Sequence, residues 1–309
     1  MGYKLAEYDV IGNCEIDPRV NKLYVKNHHP KYNYCMDIRE LLKQDLPQEL
    51  YNLDILDGSP PCSVFSMSGD RGKAWGKEKA FAEGQVKQRL DDLFVWFIEV
   101  VHKLQPKIVV AENVMGLLQG PAKGYVNQIL NLFSVAGYDT QMFVLNAAFM
   151  EVPQLRERVF FVARRKDLNL PKIKMEFNYK PIPFGEVRSE RGAKFKTGGK
   201  QEKYLKSRKP TDLNMADIYK RLEGRAVSRS NKIVSDNKVC GTLAASGCIY
   251  RMCDGLWFSD ADMIAVQTFP VDYDFCGKNV HYICGMSVPP KMMYHIAKQI
   301  QQQWLDTLS

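Results

Sequence analysis

The stretch Lys107–Val114, KIVVAENV, decides the architecture of this 309-residue chain. Its apolar run reads as a strand over Lys107–Glu112, and closing on a glutamate it delivers a carboxylate at its carboxyl end. Working outward, Gln88–Leu104 reads as an amphipathic helix before it. Tyr125–Ala136 reads as a helix after it, followed by strands over Tyr138–Asn146 and Arg158–Ala163. Upstream, Tyr8–Ile16 and Leu53–Leu56 read as strands, and Asp17–His28 as a helix opening on Asp-Pro. Strands separated by helices predict an α/β fold with a doubly wound parallel sheet, which binds ligands at the carboxyl ends of its strands. Asp17, Asp37, Cys62 and Glu112 all fall at or just after such ends.

A composition of 45% hydrophobic and 25% charged residues provides a sizeable core, enough for one large domain and a smaller one. No apolar run approaches the roughly 20 residues that cross a bilayer, and no signal-peptide pattern opens the chain. A soluble, cytoplasmic protein with no membrane partner is the expectation. The eight cysteines contain no CxxC pair and no secretory context, which argues against a disulfide framework and a zinc site; no metal is expected. Most are expected as small core residues. Cys62 is the exception, because it follows the stiff turn Ser59-Pro60-Pro61.

The formal net charge of +8 is unevenly placed. Between Arg164 and Pro210 fifteen Lys/Arg stand against five Asp/Glu, so the rest of the chain is slightly acidic. A charge run alone reads as a solvated linker. Here Phe177, Tyr179, Phe184, Phe195 and Tyr204 interleave with the basic residues, which suits a surface that grips phosphates and places a few side chains at nucleobases. Nucleic acid is the expected partner.

Six short elements follow one another along nearly the whole chain: Glu15-Ile16-Asp17, Asp37-Ile38, Ser59-Pro60-Pro61-Cys62, Glu112-Asn113-Val114, the Q-x-R-x-R pattern of Gln154, Arg156 and Arg158, and Gly285–Pro290 (GMSVPP). In that order they resemble the DNA (cytosine-5)-methyltransferases, particularly those of bacteria and phages. The resemblance implies a doubly wound S-adenosylmethionine-dependent methyltransferase fold with a smaller, basic target-recognition domain. Residues 1–163 and 285–309 would form the catalytic and cofactor-binding domain, and 164–284 the small domain with its return segment. It further implies that Glu15 and Ile16 hold the ribose of S-adenosylmethionine and that Asp37 and Ile38 lie beside its adenine. Pro60, Leu93 and Ser287 complete the cofactor set, and S-adenosylhomocysteine is the product.

The chemistry accounts for these residue types. C5 of cytosine is a poor nucleophile, so a thiolate, Cys62, must first add at C6. Glu112, protonated, would stabilise density pushed toward N3 and read the Watson–Crick edge; Arg156 and Arg158 would hold the base carbonyl, a phosphate or Glu112 itself. The target base must leave the stack. Ser63–Gln85 resembles the loop that closes over it, with Arg71, Lys73 and Lys77 as phosphate contacts and Thr242 of Gly241-Thr242-Leu243 as a backbone contact. Gln267-Thr268-Phe269-Pro270 reads as a structural turn.

In the family a strand with a Gly-rich F-x-G-x-G loop precedes the Glu15 element, and none is found here. The resemblance therefore predicts two open strand edges in mid-sheet and fewer backbone donors for the cofactor. Ser63 and Met286 stand where Gln and Asn are usual. The reading is a cytosine-5 DNA methyltransferase acting on double-stranded DNA as a monomer, with a cognate restriction endonuclease as a candidate genetic partner in a restriction-modification system. The alternatives are a truncated, non-catalytic DNA-binding remnant and a tRNA cytosine methyltransferase.

Overall fold

The structure, a computed structural model, describes residues 1–60, 92–119, 123–194, 200–225, 231–245 and 248–308. In chain order the elements begin α1 (Gly2–Leu5), β1 (Gly12–Cys14), α2 (Pro18–His28), β2 (Tyr32–Tyr34), α3 (Ile38–Leu41), β3 (Ile55–Gly58), α4 (Leu93–Leu104) and β4 (Ile108–Val114). They continue α5 (Lys123–Val135), β5 (Tyr138–Asn146), β6 (Gln154–Leu155), β7 (Glu157–Arg165), α6 (Lys200–Lys206), α7 (Met215–Glu223) and β8 (Lys232–Val234). Last come β9 (Cys240–Gly241), β10 (Ile249–Arg251), α8 (Asp260–Gln267), α9 (Val280–Met286) and α10 (Pro290–Gln303). The chain divides into two compact units: unit 1 comprises Met1–Tyr8, Asn146–Arg156 and Glu176–Ala297, and unit 2 the remaining spans Asp9–Leu145, Glu157–Met175 and Lys298–Ser309.

Unit 2 is built on a four-stranded sheet in the order β3-β4-β7-β5. β4, the KIVVAENV strand, pairs in parallel with β3 and is covered on both faces, so every residue from Ile108 to Asn113 is buried. Its alternate residues Val109 and Ala111 join Val159, Phe161 and Ala163 of β7 against Phe94, Phe97, Ile98 and Val101 of α4 and Val126, Ile129 and Phe133 of α5. Phe94 meets Phe97, Phe133 and Phe161 edge-on. Burying each such ring stabilises the fold by about 1.5–3 kcal/mol. Contrary to an all-parallel sheet, β7 runs antiparallel to β4. It follows β5 with no helical crossover between them, and a parallel return needs a connection of a dozen or more residues.

β1 and β2 form a separate parallel pair. Among the described residues β1 pairs with β2 alone and β3 with β4 alone, although both pairs cover the cluster of Leu41, Leu50, Val100 and Leu104. The strand expected over Tyr8–Ile16 shrinks to Gly12–Cys14, since only three residues of β2 are there to pair with it.

Unit 1 holds two small parallel pairs, β6 with β9 and β8 with β10, among helices α6 to α9. Phe184, stacked on Phe258 at 4.5 Å, and Tyr204, against Tyr219, are core residues of this unit. The expectation that these aromatics line a nucleic-acid surface is thus corrected. Their apolar partners are distant in sequence, and burial of the rings outweighs the charged neighbours. The cysteine expectation is corrected too: of the seven described, Cys240 and Cys284 are buried, Cys14, Cys248 and Cys276 are half-buried, and Cys35 and Cys253 are exposed. The less buried ones sit at strand ends and turns. Phe195 lies outside the described residues.

Candidate active site

In unit 2 the register of β4 and β7 assembles the first pair of candidates. Glu112 stands opposite Phe160 and Val114 opposite Arg158, so Glu112 and Arg158 share one face as diagonal neighbours. Arg158 Nε donates to Glu112 Oε1 at 2.9 Å, with the side chains only 14% and 11% exposed. Burial works against Arg158's proton, and Glu112's charge holds it in place. The next residue, Asn113, donates from Nδ2 to the Pro60 carbonyl at 3.1 Å while its Oδ1 accepts from Val114 N–H. The turn before Cys62 is thereby tied to β4. Gly58, which ends β3, leaves no room for a side chain against α4, since a Cβ there would lie 2.3 Å from the Phe97 ring. Cys62 itself, with Pro61, Arg71, Lys73, Lys77 and the rest of Ser63–Gln85, lies outside the described residues. Burial pushes the thiols of Cys14, Cys240 and Cys284 up to about 12, which makes each of them a poor nucleophile.

The acidic candidates sit just past β1 and β2. Asp17 caps α2: its Oδ1 accepts from Arg19 N–H at 2.8 Å and its Oδ2 from the Arg19 guanidinium at 2.7 Å. That guanidinium holds the Asp17 carboxyl below the usual range. Glu15, whose Oε1 accepts from Asp17 N–H at 2.8 Å, is instead pushed up by burial. Ile16 between them is half-buried. Asp37 caps α3 and binds Arg39, which also reaches Asp92 at the head of α4, where Trp96 Nε1 donates to the same carboxylate. Asp37, Ile38 and Leu93 are therefore brought to one side of α4 through the Asp37–Arg39–Asp92 chain. Carboxylates following two adjacent parallel strands are the acceptors that ribose hydroxyls and an adenine amino group need, so the donor set fits a nucleoside.

Unit 1 holds the other candidates. Arg156 is 2% exposed, and its guanidinium donates to the Leu243 carbonyl at 3.0 Å and the Gly285 carbonyl at 3.1 Å. Thr242 Oγ1 donates to the Leu155 carbonyl at 2.6 Å, and Ser287 Oγ to the Ile283 carbonyl at 2.6 Å. Sequence reasoning missed the buried Gln267, whose Nε2 donates to the Ser287 carbonyl; its one signal was its place in Gln267-Thr268-Phe269-Pro270. Among the described residues no group of three or more His, Cys, Asp or Glu is arranged to hold a metal, and no helix is long and apolar enough to cross a membrane.

Three similarities bear on this arrangement. The type II methyltransferase M.FnuDI of Fusobacterium nucleatum is 34% identical over 207 residues, which are 67% of this chain and 50% of that protein. The type II methyltransferase M1.HphI of Haemophilus parahaemolyticus is 23% identical over 329 residues, 97% of this chain and 82% of its own. A crystal structure described as a DNA modification methyltransferase encoded within an E. coli prophage superposes with a TM-score of 0.68 at 20% identity, covering 98% of this chain and 94% of that one, a likeness of fold. The chain spans about half the length of the first curated relatives it matches. The family model described as C-5 cytosine-specific DNA methylase matches residues 1–302. Because that match runs from α1 to α10, through both units, the chain belongs to the C-5 cytosine-specific DNA methylase family.

Proposed function

We propose that the protein transfers a methyl group from S-adenosylmethionine to C5 of a cytosine flipped out of duplex DNA. The observation that carries this reading is the ion pair of Arg158 and Glu112 on one strand face, beside the Asn113 anchor on Pro60. Glu15, Ile16, Asp37, Ile38, Pro60 and Leu93 are proposed to hold the cofactor, with Ser287 as a further contact. Bound there, S-adenosylmethionine supplies an electrophilic methyl and leaves as S-adenosylhomocysteine.

The protein's own residues do the rest. Cys62 Sγ bonds to C6 of the base, and the electron pair displaced from the C5–C6 bond makes C5 nucleophilic. Glu112, fixed by Arg158, meets the N3 and exocyclic amine edge, and a proton shared with N3 offsets the charge that gathers there. Once C5 carries the methyl, the C5 proton passes to solvent, its electron pair re-forms the C5–C6 double bond, and the C6–S bond breaks to release Cys62 as a thiolate. Arg156 serves by holding the backbone around Leu243 and Gly285. Exposed Lys172, Lys174, Lys180, Arg191 and Lys194 suit phosphate contact, together with Arg71, Lys73, Lys77 and Thr242. The names of the type II relatives favour a restriction-modification setting.

The half-exposed β1–β2 pair, unpaired with the main sheet among the described residues, favours a second reading in which DNA is bound but cofactor is held weakly. One experiment separates them. The full chain and its Cys62→Ala variant are mixed with unmethylated genomic DNA and methyl-labelled S-adenosylmethionine. Label fixed on DNA by the first and not the second supports the transferase, whereas DNA retention without label in either sinks it.

A further inference from the structure

Two buried primary amides of unit 1 are joined side chain to side chain: Gln154 Nε2 donates to Gln267 Oε1 at 2.7 Å. The relay continues in one direction. Gln267 Nε2 donates to the Ser287 carbonyl at 2.7 Å, and Gln154 Oε1 accepts from Leu243 N–H at 3.0 Å. With its donor and its acceptor both engaged, Gln267 has a fixed orientation that neither a carboxylate nor a hydrocarbon reproduces. Arg156 runs alongside, spanning the Leu243 and Gly285 carbonyls. Gly285 closes the block: a Cβ there would lie 2.3 Å from Ala245 N, so the two backbones touch. Thr242, adjacent to Leu243, is pinned to Leu155.

We infer that Gln267 is a positioning residue that couples the turn carrying Ser287 to the segment carrying Thr242, so that cofactor and DNA strengthen each other's binding through it. The inference rests on the proposed function, in which Ser287 is a cofactor contact and Thr242 a DNA contact. Its physical basis is that stranding a fully buried amide is costly, so these two segments shift together and not singly. Such coupling is reciprocal by linkage.

The test measures S-adenosylhomocysteine binding with and without sheared unmethylated duplex DNA, and DNA binding with and without S-adenosylhomocysteine. It uses the full chain, Gln267→Leu and Gln267→Glu. In the unsubstituted protein each ligand tightens the other by one common factor, roughly fivefold or more. Either substitution is expected to bring that factor close to one while each ligand alone still binds. A residue that merely props up the fold would lower both affinities and leave the factor intact. Gln154→Glu is the second probe. It keeps an acceptor for Leu243 and gives Arg156 a carboxylate, which favours folding, but it sets an oxygen against Gln267 Oε1 and should also lose the factor. Retention of the factor in any of these folded variants, or a factor of one in the unsubstituted protein, overturns the inference. If the unsubstituted protein binds neither ligand, the proposed function falls with it.

Discussion

Two strand pairs of unit 2 present carboxylates under opposite conditions. β4 has neighbours on both edges and lies buried from Ile108 to Asn113, whereas among the described residues β1 and β2 have one neighbour each and neither contains a buried residue. On β4 the single acid, Glu112, has a guanidinium at 2.9 Å. On the open pair the acids cluster past the strand ends and are held by helix caps and short-range arginines. Under the proposed function the contrast separates two demands. A group that meets a reacting base needs a fixed position in a dry setting, while groups that receive a soluble cofactor need access.

Breaking the closed pair should therefore have the largest effect. Glu112→Gln keeps the shape but removes the charge that pairs with Arg158, and transfer should fall on the order of 10²–10⁴-fold. Label incorporation checks this, with DNA retention as the control; a variant within tenfold of the parent would remove Glu112 from the chemistry. Asn113→Ala comes next. It leaves the Pro60 carbonyl without its donor, for a stability loss of about 1–3 kcal/mol in denaturant unfolding. It should also slow transfer, because the turn leading to Cys62 loses its tether.

These two sites differ in how far the sequence reveals them. KIVVAENV is legible because a continuous apolar run can be satisfied only by burial on both faces, and its acid then stands at a strand end. The Glu112–Arg158 pair follows from residue order, but its registry depends on β7 returning antiparallel, which the strand pattern alone does not encode. The bonding partners of Arg156 and Gln267 are opaque for a different reason. Leu243, Gly285 and Ser287 lie far along the chain, and a side chain bonded to distant carbonyls leaves no local periodicity. Phe184 and Tyr204 mislead in the same way, since the charged residues around them are visible in sequence and Phe258 and Tyr219 are not adjacent. β1 is over-read because a strand's length is set by the partner it pairs with.

On the open pair the expected effects are smaller. Asp17→Ala removes the cap of α2 and should cost about 1 kcal/mol, a step that sharpens the comparison if Asn113→Ala costs more. The sign with pH is fixed by Arg19, which lowers the Asp17 value below its ordinary 3.8. The carboxylate's contribution is present above pH 3.8 and fades as pH falls through the lowered folded value, so parent and variant should converge in acid.

Glu15, two residues earlier, should behave in the opposite sense. Burial raises its value above the ordinary 4.5, against the opposing hydrogen bond from Asp17 N–H. Its folded-state advantage is complete below 4.5 and is lost as pH rises through the raised value, so Glu15→Gln should gain stability over the parent at neutral pH and not in acid. Cofactor binding should run against this trend. Ribose hydroxyls donate to the ionised form, so S-adenosylhomocysteine should bind the parent more tightly as pH rises through the Glu15 value, with the slope absent in Glu15→Gln. Calorimetric titration from about pH 4 to pH 7 reads both slopes. An equal slope in the variant would assign the effect to another group. A flat parent curve would mean that the open pair holds the nucleoside without Glu15, and the division of labour between the two strand pairs would have to be redrawn.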